Sequence, residues 1–155
     1  MPPSGPPLRF TGYGTYNVLL HTSDHKVLYE GELYPTAMHL FEAMKFMHNR
    51  PDIADEIRCT PSPYDALEVS KRHDDRVRPD WDQVALSIMD EAMYHKFRQH
   101  EDARTVLLAT GNAPLEFGDT DDGFWGIGRD ERGRNEMGQS LVRVRDKLRQ
   151  ELGMM

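Results

Sequence analysis

The stretch from Tyr34 to Phe46, YPTAMHLFEAMKF, places the strongest constraint on the fold. Pro35 and Thr36 are typical of a helix start, and no glycine or proline interrupts the residues that follow. Its apolar residues recur at helical spacing: Ala37, Leu40, Phe41, Met44 and Met47. The sequence therefore predicts a helix that opens near Thr36, buries one apolar stripe and ends near residues 48–49, just before a proline.

Three chemically different residues lie beside that stripe: Met38, Glu42 and Lys45. Offsets of four and seven residues place them on one edge of a helix that turns about 100° per residue. A lysine flanked by Met44 and Phe46 can be partly desolvated, which leaves some amine in the neutral form that attacks carbonyl carbon. The alternative is an ordinary ion pair with Glu42, a contact of about 0.2 to 0.5 kcal/mol on a helix surface.

Prolines, glycines and capping residues divide the rest of the chain into short elements. The β-prone runs over residues 15–20 and 26–33 predict small antiparallel strands, with a turn at Gly31. Helices are predicted over 51–58, 62–71, 101–109, from Asp80 onward and from Asn135 onward, with a short strand over 113–117. We therefore predict an α+β fold, in which a flexible Pro-rich leader (1–9) precedes one compact, mainly helical domain (10–155) with a few short antiparallel strands.

Composition excludes several classes of protein. A chain of 155 residues can bury a sufficient core without disulfides or structural metal, and its single cysteine, Cys59, excludes an internal disulfide. No apolar run approaches the ~20 residues of a membrane span, and the first residues lack the apolar segment of a signal peptide. We therefore expect a cytoplasmic protein with no membrane partner; the sequence does not indicate its oligomeric state.

The charge pattern narrows the range of ligands. A formal net charge of -7 opposes sequence-independent binding to duplex nucleic acid, although a nucleotide-sized ligand is compatible with it. The basic run Arg143, Arg145, Lys147 and Arg149 alternates with apolar residues, and we predict that it forms the solvated face of the last helix. His39 and Glu42 could both reach an ion, but no HExxH motif or paired histidine accompanies them, so no metal site is predicted.

The segment GDTDDGFWGIGRDERGR, residues 118–134, is rich in aspartate and glycine yet contains large apolar residues. Backbone N–H groups at Gly126 and Gly128 could approach a phosphate or ribose closely, and Trp125 offers a face on which a base can stack. Asp122 could bind a ribose hydroxyl or orient water. The alternative is structural, because a tryptophan between glycines is often a core anchor in a tight turn.

Six motifs together resemble the YbiA-like or NADAR family, and its fungal members most closely. They are YEGELYPTAMHLFEAMKF, RPDW, MYHKFRQH, LLATG, DGFWGIG and GRNEMGQSL, in the family's order and spacing over residues 16–148. The resemblance implies a compact, mainly helical α+β domain that cleaves the bond between a ribose C1′ and nitrogen without a metal or other cofactor. The implied substrates are ribosylamino-pyrimidine phosphates of riboflavin synthesis, or ADP-ribose attached to guanine, including an ADP-ribosylated nucleic-acid base.

The resemblance also implies roles for individual residues. Lys45 matches the family's catalytic lysine, which traps the opened sugar as a Schiff base. Asp122 and Trp125 match its DxxWG pair, with Asp122 as a further candidate catalytic residue. The other residues that we predict to bind ligand lie at or beside recurrent motif positions: Trp81, Gly126, Gly128, Asn135, His39 and Phe41.

One departure from the family pattern bears on catalysis. The usual YPTSEH reads YPTAMH here, so Met38 occupies the position of a glutamate, and a thioether cannot serve as a general acid or base. Because Glu42 lies on the same helix edge, one turn from Lys45, we predict that it replaces the missing carboxylate. The alternative function is a catalytically impaired module that binds ADP-ribose or a related nucleotide.

Overall fold

The computed structural model describes residues 2–154, which form six α-helices and four short strands. The strands are β1 (Leu8–Phe10), β2 (Val27–Tyr29), β3 (Glu32–Tyr34) and β4 (Leu115–Phe117). The helices are α1 (Ala37–Met44), α2 (Pro51–Arg58), α3 (Pro63–Arg72), α4 (Trp81–Gln99), α5 (Glu101–Ala109) and α6 (Glu136–Glu151). This mixture confirms the predicted α+β class. None of the helices in residues 2–154 is long and apolar enough to cross a membrane.

The chain folds as two compact units. The central unit is His21–Gln99 and contains β2, β3 and α1 to α4; the terminal unit, residues 2–20 and 100–154, contains β1, β4, α5 and α6. In the central unit β2 and β3 form an antiparallel hairpin that turns at the predicted position, Gly31; its turn residues Glu30 and Gly31 have φ values of 49° and 81°. Positive φ at both positions matches the right-handed twist of the strands.

Helix α1 lies at the centre of its unit, in contact with α2, α3 and α4. All eight of its residues are buried, including the polar His39 and Glu42, so the prediction of a single buried stripe was too narrow. The helix also ends at Met44, earlier than predicted. The N–H groups of Lys45 and Phe46 bond to carbonyls three residues back, at 3.3 Å and 3.0 Å, because the chain tightens into a narrower turn there.

Local signals located the neighbouring helices well. The predicted bounds of α2 are confirmed, and Ser62 caps α3 by accepting a hydrogen bond of 3.1 Å from the N–H of Asp65. Helix α4 begins at Trp81, beside the predicted cap Asp80, whose carboxylate accepts bonds of 2.6 Å and 2.8 Å from Arg78. Those bonds lower the pKa of Asp80.

The terminal unit departs most from the sequence predictions. Residues 15–19, predicted as a strand, form a 3-10 helix, and β1 begins at Leu8, two residues inside the segment predicted as a leader. Strand β1 pairs with β4 in parallel, and Phe10 stacks on Phe117 with ring centroids 5.6 Å apart. The strands predicted from local patterns were antiparallel only, since nothing local indicates that two segments this far apart in the chain will pair.

The basic run on α6 is not uniformly solvated, and the prediction was wrong for Arg145, which is 1% exposed. Its Nη1 donates to Thr110 Oγ1 at 2.8 Å and to the Ala113 carbonyl at 2.9 Å. Arg149 donates to the side chain of Asn112 and to the Gly111 carbonyl. The two arginines therefore satisfy polar groups just beyond the end of α5. Burial lowers the pKa of Arg145.

Candidate active site

Lys45 follows the last residue of α1 and lies inside the central unit. Its carbonyl accepts a hydrogen bond of 2.9 Å from the N–H of Arg78, which fixes the backbone from which the side chain extends. The side chain is 18% exposed, so the amine is neither sealed in the core nor directed into bulk solvent. This partial burial is the setting that the neighbouring apolar residues predicted.

Three groups surround the Lys45 amine. Nζ lies 2.7 Å from Glu42 Oε1, donates to Ser70 Oγ at 3.3 Å, and stands 5.6 Å from the centroid of the Trp81 ring. The predicted ion pair with Glu42 is therefore present, although its angles are those of a close charge contact and not of a well-aligned hydrogen bond. Because the Glu42 side chain is only 4% exposed, the energy of a solvated surface pair does not apply to it.

Aromatic and apolar side chains pack around this cluster. Phe41 meets Trp81 edge to face, with centroids 5.1 Å apart and ring planes at 60°, and is itself buried. Contacts of this geometry hold the indole in one orientation beside the amine. Met38 is also buried, 7% exposed, so an apolar side chain lies in the interior at the position where the motif resemblance implies a glutamate.

The side chain of His39 forms hydrogen bonds within the fold. Its ring is completely buried; Nε2 donates to the Thr60 carbonyl at 3.1 Å, and Nδ1 therefore accepts from the Thr36 hydroxyl at 2.8 Å. The same hydroxyl oxygen accepts from the His39 N–H at 3.1 Å, which caps α1. Burial lowers the pKa of His39 and favours the neutral ring that this arrangement requires. With both nitrogens committed, we leave His39 out of the proposed site.

Asp122 organises the Asp- and Gly-rich loop of the terminal unit, residues 118–135. Its Oδ1 accepts hydrogen bonds of 2.9 Å and 2.8 Å from the N–H groups of Phe124 and Trp125, and its carbonyl accepts one of 3.1 Å from Gly126. An aspartate that bonds the backbone two and three residues ahead stabilises a tight turn. The half-buried Trp125 is held at that turn, with Phe124 edge-on to it at 4.9 Å.

The glycines of this loop allow its backbone segments to pack closely against one another. A Cβ atom at Gly126 would lie 2.7 Å from the carbonyl oxygen of Asp119, and one at Gly128 would lie 3.2 Å from the Cα of Gly123. Gly126 is buried, and backbone atoms of the same loop fill the space beside its Cα. Gly128, whose φ is 73°, contributes to an open cleft of about 570 Å³ lined by Thr120, Asp121, Gly123, Gly128, Arg129, Asp130, Arg132 and Gly133.

Asn135 joins the loop to strand β4. Its side-chain oxygen accepts a bond of 2.8 Å from the N–H of Phe117, and its nitrogen donates one of 2.8 Å to the Leu115 carbonyl. Its φ of 50° is left-handed, a conformation that asparagine tolerates better than most residues. Next to it, a Cβ at Gly138 would lie 1.9 Å from the Leu115 carbonyl oxygen, so only glycine allows α6 to approach the strand this closely.

Apart from His39, the predicted site residues fall into two groups. Lys45, Glu42, Phe41 and Trp81 meet in the central unit, whereas the others share the loop of the terminal unit: Asp122, Trp125, Gly126, Gly128 and Asn135. The sequence analysis missed Ser70, which contacts the Lys45 amine from α3. A lone serine in a helix carries no motif, and only the packing of α3 against α1 brings it to the lysine.

The chemistry available at Lys45 follows from these contacts. An ammonium next to a buried carboxylate can transfer a proton to it, which leaves a neutral amine and a carboxylic acid side by side. The first is a nucleophile and the second a proton donor. The Trp81 face favours the cation, and the Ser70 hydroxyl accepts a hydrogen bond from Nζ. This combination suits attack on an electrophilic carbon with protonation of a leaving group.

Comparison with known proteins shows which proteins this chain is similar to. The NADAR domain model matches residues 8–149. N-glycosidase YbiA of Escherichia coli is 34% identical over 119 residues, which cover 77% of this chain and 73% of that protein. An N-glycosidase of Nostoc punctiforme is 32% identical over 140 residues, 90% of each chain. A riboflavin biosynthesis protein of Vibrio vulnificus is 31% identical over 120 residues, 77% of this chain but 32% of that longer protein.

The solved structure of a relative extends the agreement to the fold. The NMR structure of Escherichia coli YbiA matches with a TM-score of 0.86 at 28% identity, covering 97% of this chain and 89% of that one. The family resemblance predicted from the motifs is confirmed, and the names of two relatives support a glycosyl hydrolase class. On the sequence match and the shared fold together, this chain belongs to the NADAR family.

Proposed function

We propose that the protein is an N-glycosidase that hydrolyses the bond between ribose C1′ and nitrogen, with Lys45 as the nucleophile. The observation that carries this proposal is the Lys45 side chain, which is 18% exposed and whose amine lies 2.7 Å from the nearly buried carboxylate of Glu42. Retaining such a pair costs desolvation energy that an apolar pair of similar size would avoid. A reactive amine explains that cost better than stability does.

In the proposed first step, the Lys45 ammonium gives a proton to Glu42, and the neutral amine attacks C1′. The bond from C1′ to the leaving nitrogen breaks with its electron pair, and that nitrogen takes the proton from Glu42. The nitrogen of Lys45 is now bonded to C1′ and positively charged. A proton then moves from it to the ring oxygen as the bond from C1′ to that oxygen opens, which leaves a protonated Schiff base.

Water completes the cycle. It adds to C1′ of the Schiff base, the bond to Lys45 breaks, and the sugar leaves as the free aldehyde while Lys45 recovers its ammonium form. Glu42 ends as the carboxylate with which it began. We assign the acid/base role to Glu42 and not to Asp122, because Oδ1 of Asp122 already accepts two backbone hydrogen bonds within its loop. Trp81, whose ring lies beside the Lys45 amine, is the proposed stacking surface for the base.

Two substrate classes should be tested in parallel. They are ADP-ribosylated guanosine and the ribosylamino-pyrimidine phosphate of riboflavin synthesis, for which the name of the Vibrio relative provides support. Product release is followed by chromatography, and each reaction is repeated with borohydride to reduce the Schiff base. We expect turnover of one class and a sugar adduct on the peptide that contains Lys45. If neither substrate is cleaved and no adduct forms, the proposal is wrong.

A matched lysine variant separates nucleophilic attack from general loss of charge. Lys45→Arg keeps the positive charge but cannot form the Schiff base, so we expect both turnover and borohydride adduct to fall below detection. Lys71→Arg, at an exposed position of α3, serves as the control and should match the wild type. Normal turnover by Lys45→Arg would exclude the lysine mechanism.

Met38 supports a second candidate function, a non-catalytic module that binds ADP-ribose or a related nucleotide. The side chain is buried, 7% exposed, where the family has a glutamate, and it can carry no proton. This candidate predicts that ADP-ribose raises the melting temperature without product formation, and that Met38→Glu creates cleavage. Calorimetry that detects no binding of ADP-ribose would exclude it, whereas turnover by the wild type would show that Met38 is compatible with catalysis.

A further inference from the structure

We propose that Ser70 is a positioning residue for the Lys45 amine and holds it through both protonation states of the reaction. The inference deepens the proposed function and rests on it. None of the sequence motifs includes Ser70, and its role comes from one contact: its Oγ accepts a hydrogen bond of 3.3 Å from Lys45 Nζ.

The hydroxyl is held in place by a regular helix. Ser70 lies in α3, which packs against α1, and it is 2% exposed. Its carbonyl accepts a hydrogen bond of 3.1 Å from the N–H of His73 at the end of that helix. A group carried by a packed helix is placed more precisely than one carried by a loop, and burial makes the loss of its hydrogen bond costly.

The three contacts of the amine respond differently to proton transfer. The Glu42 carboxylate and the Trp81 face both attract the ammonium through its charge. Both attractions weaken once the proton has moved to Glu42. The Ser70 oxygen can accept from an N–H of Lys45 in either state, and by accepting it leaves the lone pair of the neutral amine free to attack. Ser70 is therefore a contact that does not depend on the charge of the amine.

Orientation matters most in that neutral state, because the lone pair must point at C1′ during attack. A misplaced nucleophile loses much of the advantage of being bound beside its target. Ser70 acts on the lysine and not on the substrate, so its removal should lower kcat and leave KM nearly unchanged. We expect Ser70→Ala to lower kcat by about 10- to 100-fold, with KM within about twofold of the wild type.

The test uses two readouts on the full chain. Steady-state kinetics with the cleaved substrate give kcat and KM. Separately, glyceraldehyde with borohydride measures how fast Lys45 forms a Schiff base with a simple aldehyde, read by peptide mass spectrometry. Ser70→Ala should slow adduct formation at Lys45 by a factor similar to the fall in kcat. Ser87→Ala is the matched control, since its hydroxyl on α4 is exposed and donates to the Val84 carbonyl at 2.9 Å, and both its rates should match the wild type.

Ser70→Thr tests whether the hydroxyl itself is required. It should restore most of the lost rate, whereas a folded Ser70→Thr as slow as Ser70→Ala would overturn the inference. If the added methyl group prevents folding, the comparison of Ser70→Ala with Ser87→Ala decides alone. A Ser70→Ala protein with the kcat and the adduct rate of the wild type would also overturn the inference.

The outcomes separate this inference from the proposed function. A wild type that cleaves neither substrate class, yet forms an aldehyde adduct at Lys45 that depends on Ser70, would reject the N-glycosidase and keep the positioning role. Normal cleavage by both the wild type and Ser70→Ala would reject the positioning role alone.

Discussion

Replacing Glu42 by glutamine should reduce stability and activity together. The change keeps the shape of the side chain but removes the charge that lies 2.7 Å from Lys45 Nζ. At an effective dielectric constant of about 20, the direct attraction across that distance is about 6 kcal/mol, most of which offsets the desolvation of the two groups. Removing one partner leaves the other charge uncompensated, at a typical cost of about 3 to 5 kcal/mol.

Because Lys45 is partly exposed, we expect the loss of stability to lie near or below the low end of that range. Its side chain is 18% exposed, and the amine keeps its contacts with Ser70 and Trp81. The free energy of unfolding of the variant should therefore be about 2 to 3 kcal/mol lower than that of the wild type. Urea denaturation followed by circular dichroism measures this difference. Loss of the proton acceptor should also lower kcat by at least about 100-fold, measured on the folded enzyme.

Two controls make the result specific. Asp55→Asn removes one partner of the solvated pair between Arg58 and Asp55, which has the same i,i+3 spacing at 3.7 Å, and should cost less than about 1 kcal/mol. The double variant Glu42→Gln/Lys45→Met removes both buried charges and should recover most of the stability but none of the activity. A Glu42→Gln protein as stable and as active as the wild type would refute both the energetic argument and the acid/base assignment.

Two further predictions concern the fold around the site residues. Gly138→Ala forces a Cβ to within 1.9 Å of the Leu115 carbonyl oxygen, so the free energy of unfolding should fall by about 3 kcal/mol or more, and a change below about 1 kcal/mol would contradict the close approach of α6 to β4. His39 has a pKa in the folded protein below that of the unfolded chain, so the unfolded state binds the extra proton first. The stability it supports is therefore complete above about pH 6.5 and declines as the pH falls toward the folded pKa. Denaturation curves between about pH 7.5 and 5 should show His39→Gln with a flatter pH dependence than the wild type, and equal slopes would contradict the neutral, buried ring that bonds Thr60.

Local sequence signals located most of the helices. Proline at the first turn, a serine cap and apolar spacing gave the bounds of α2, α3 and α5 within a residue or two. Such signals act over a few residues, so they can be recognised without the rest of the chain. They failed at residues 15–19, where a β-prone run forms a 3-10 helix, because tertiary context overrides weak strand propensity.

The motifs also determined the family and the candidate nucleophile. The spacing of Glu42 and Lys45 on one helix predicted their ion pair, which the structure contains. The spacing could not predict that the pair is buried, because burial depends on the elements that pack around the helix. The complete burial of α1 by α2, α3 and α4 turns an ordinary i,i+3 contact into a desolvated one.

Contacts between distant segments required the tertiary structure. Ser70 reaches Lys45 because α3 packs on α1, and β1 pairs in parallel with β4, which lies 107 residues further along the chain. Asn135 is the N-cap residue of α6, as predicted, and its ligand-binding role stays a prediction; its side-chain amide bonds the Phe117 N–H and the Leu115 carbonyl, contacts that no local pattern indicates. The motifs, through residue type and local spacing, thus determined the family and the candidate site residues. Only the packing of distant elements decided which groups surround the amine, because burial and long-range hydrogen bonds depend on the whole fold.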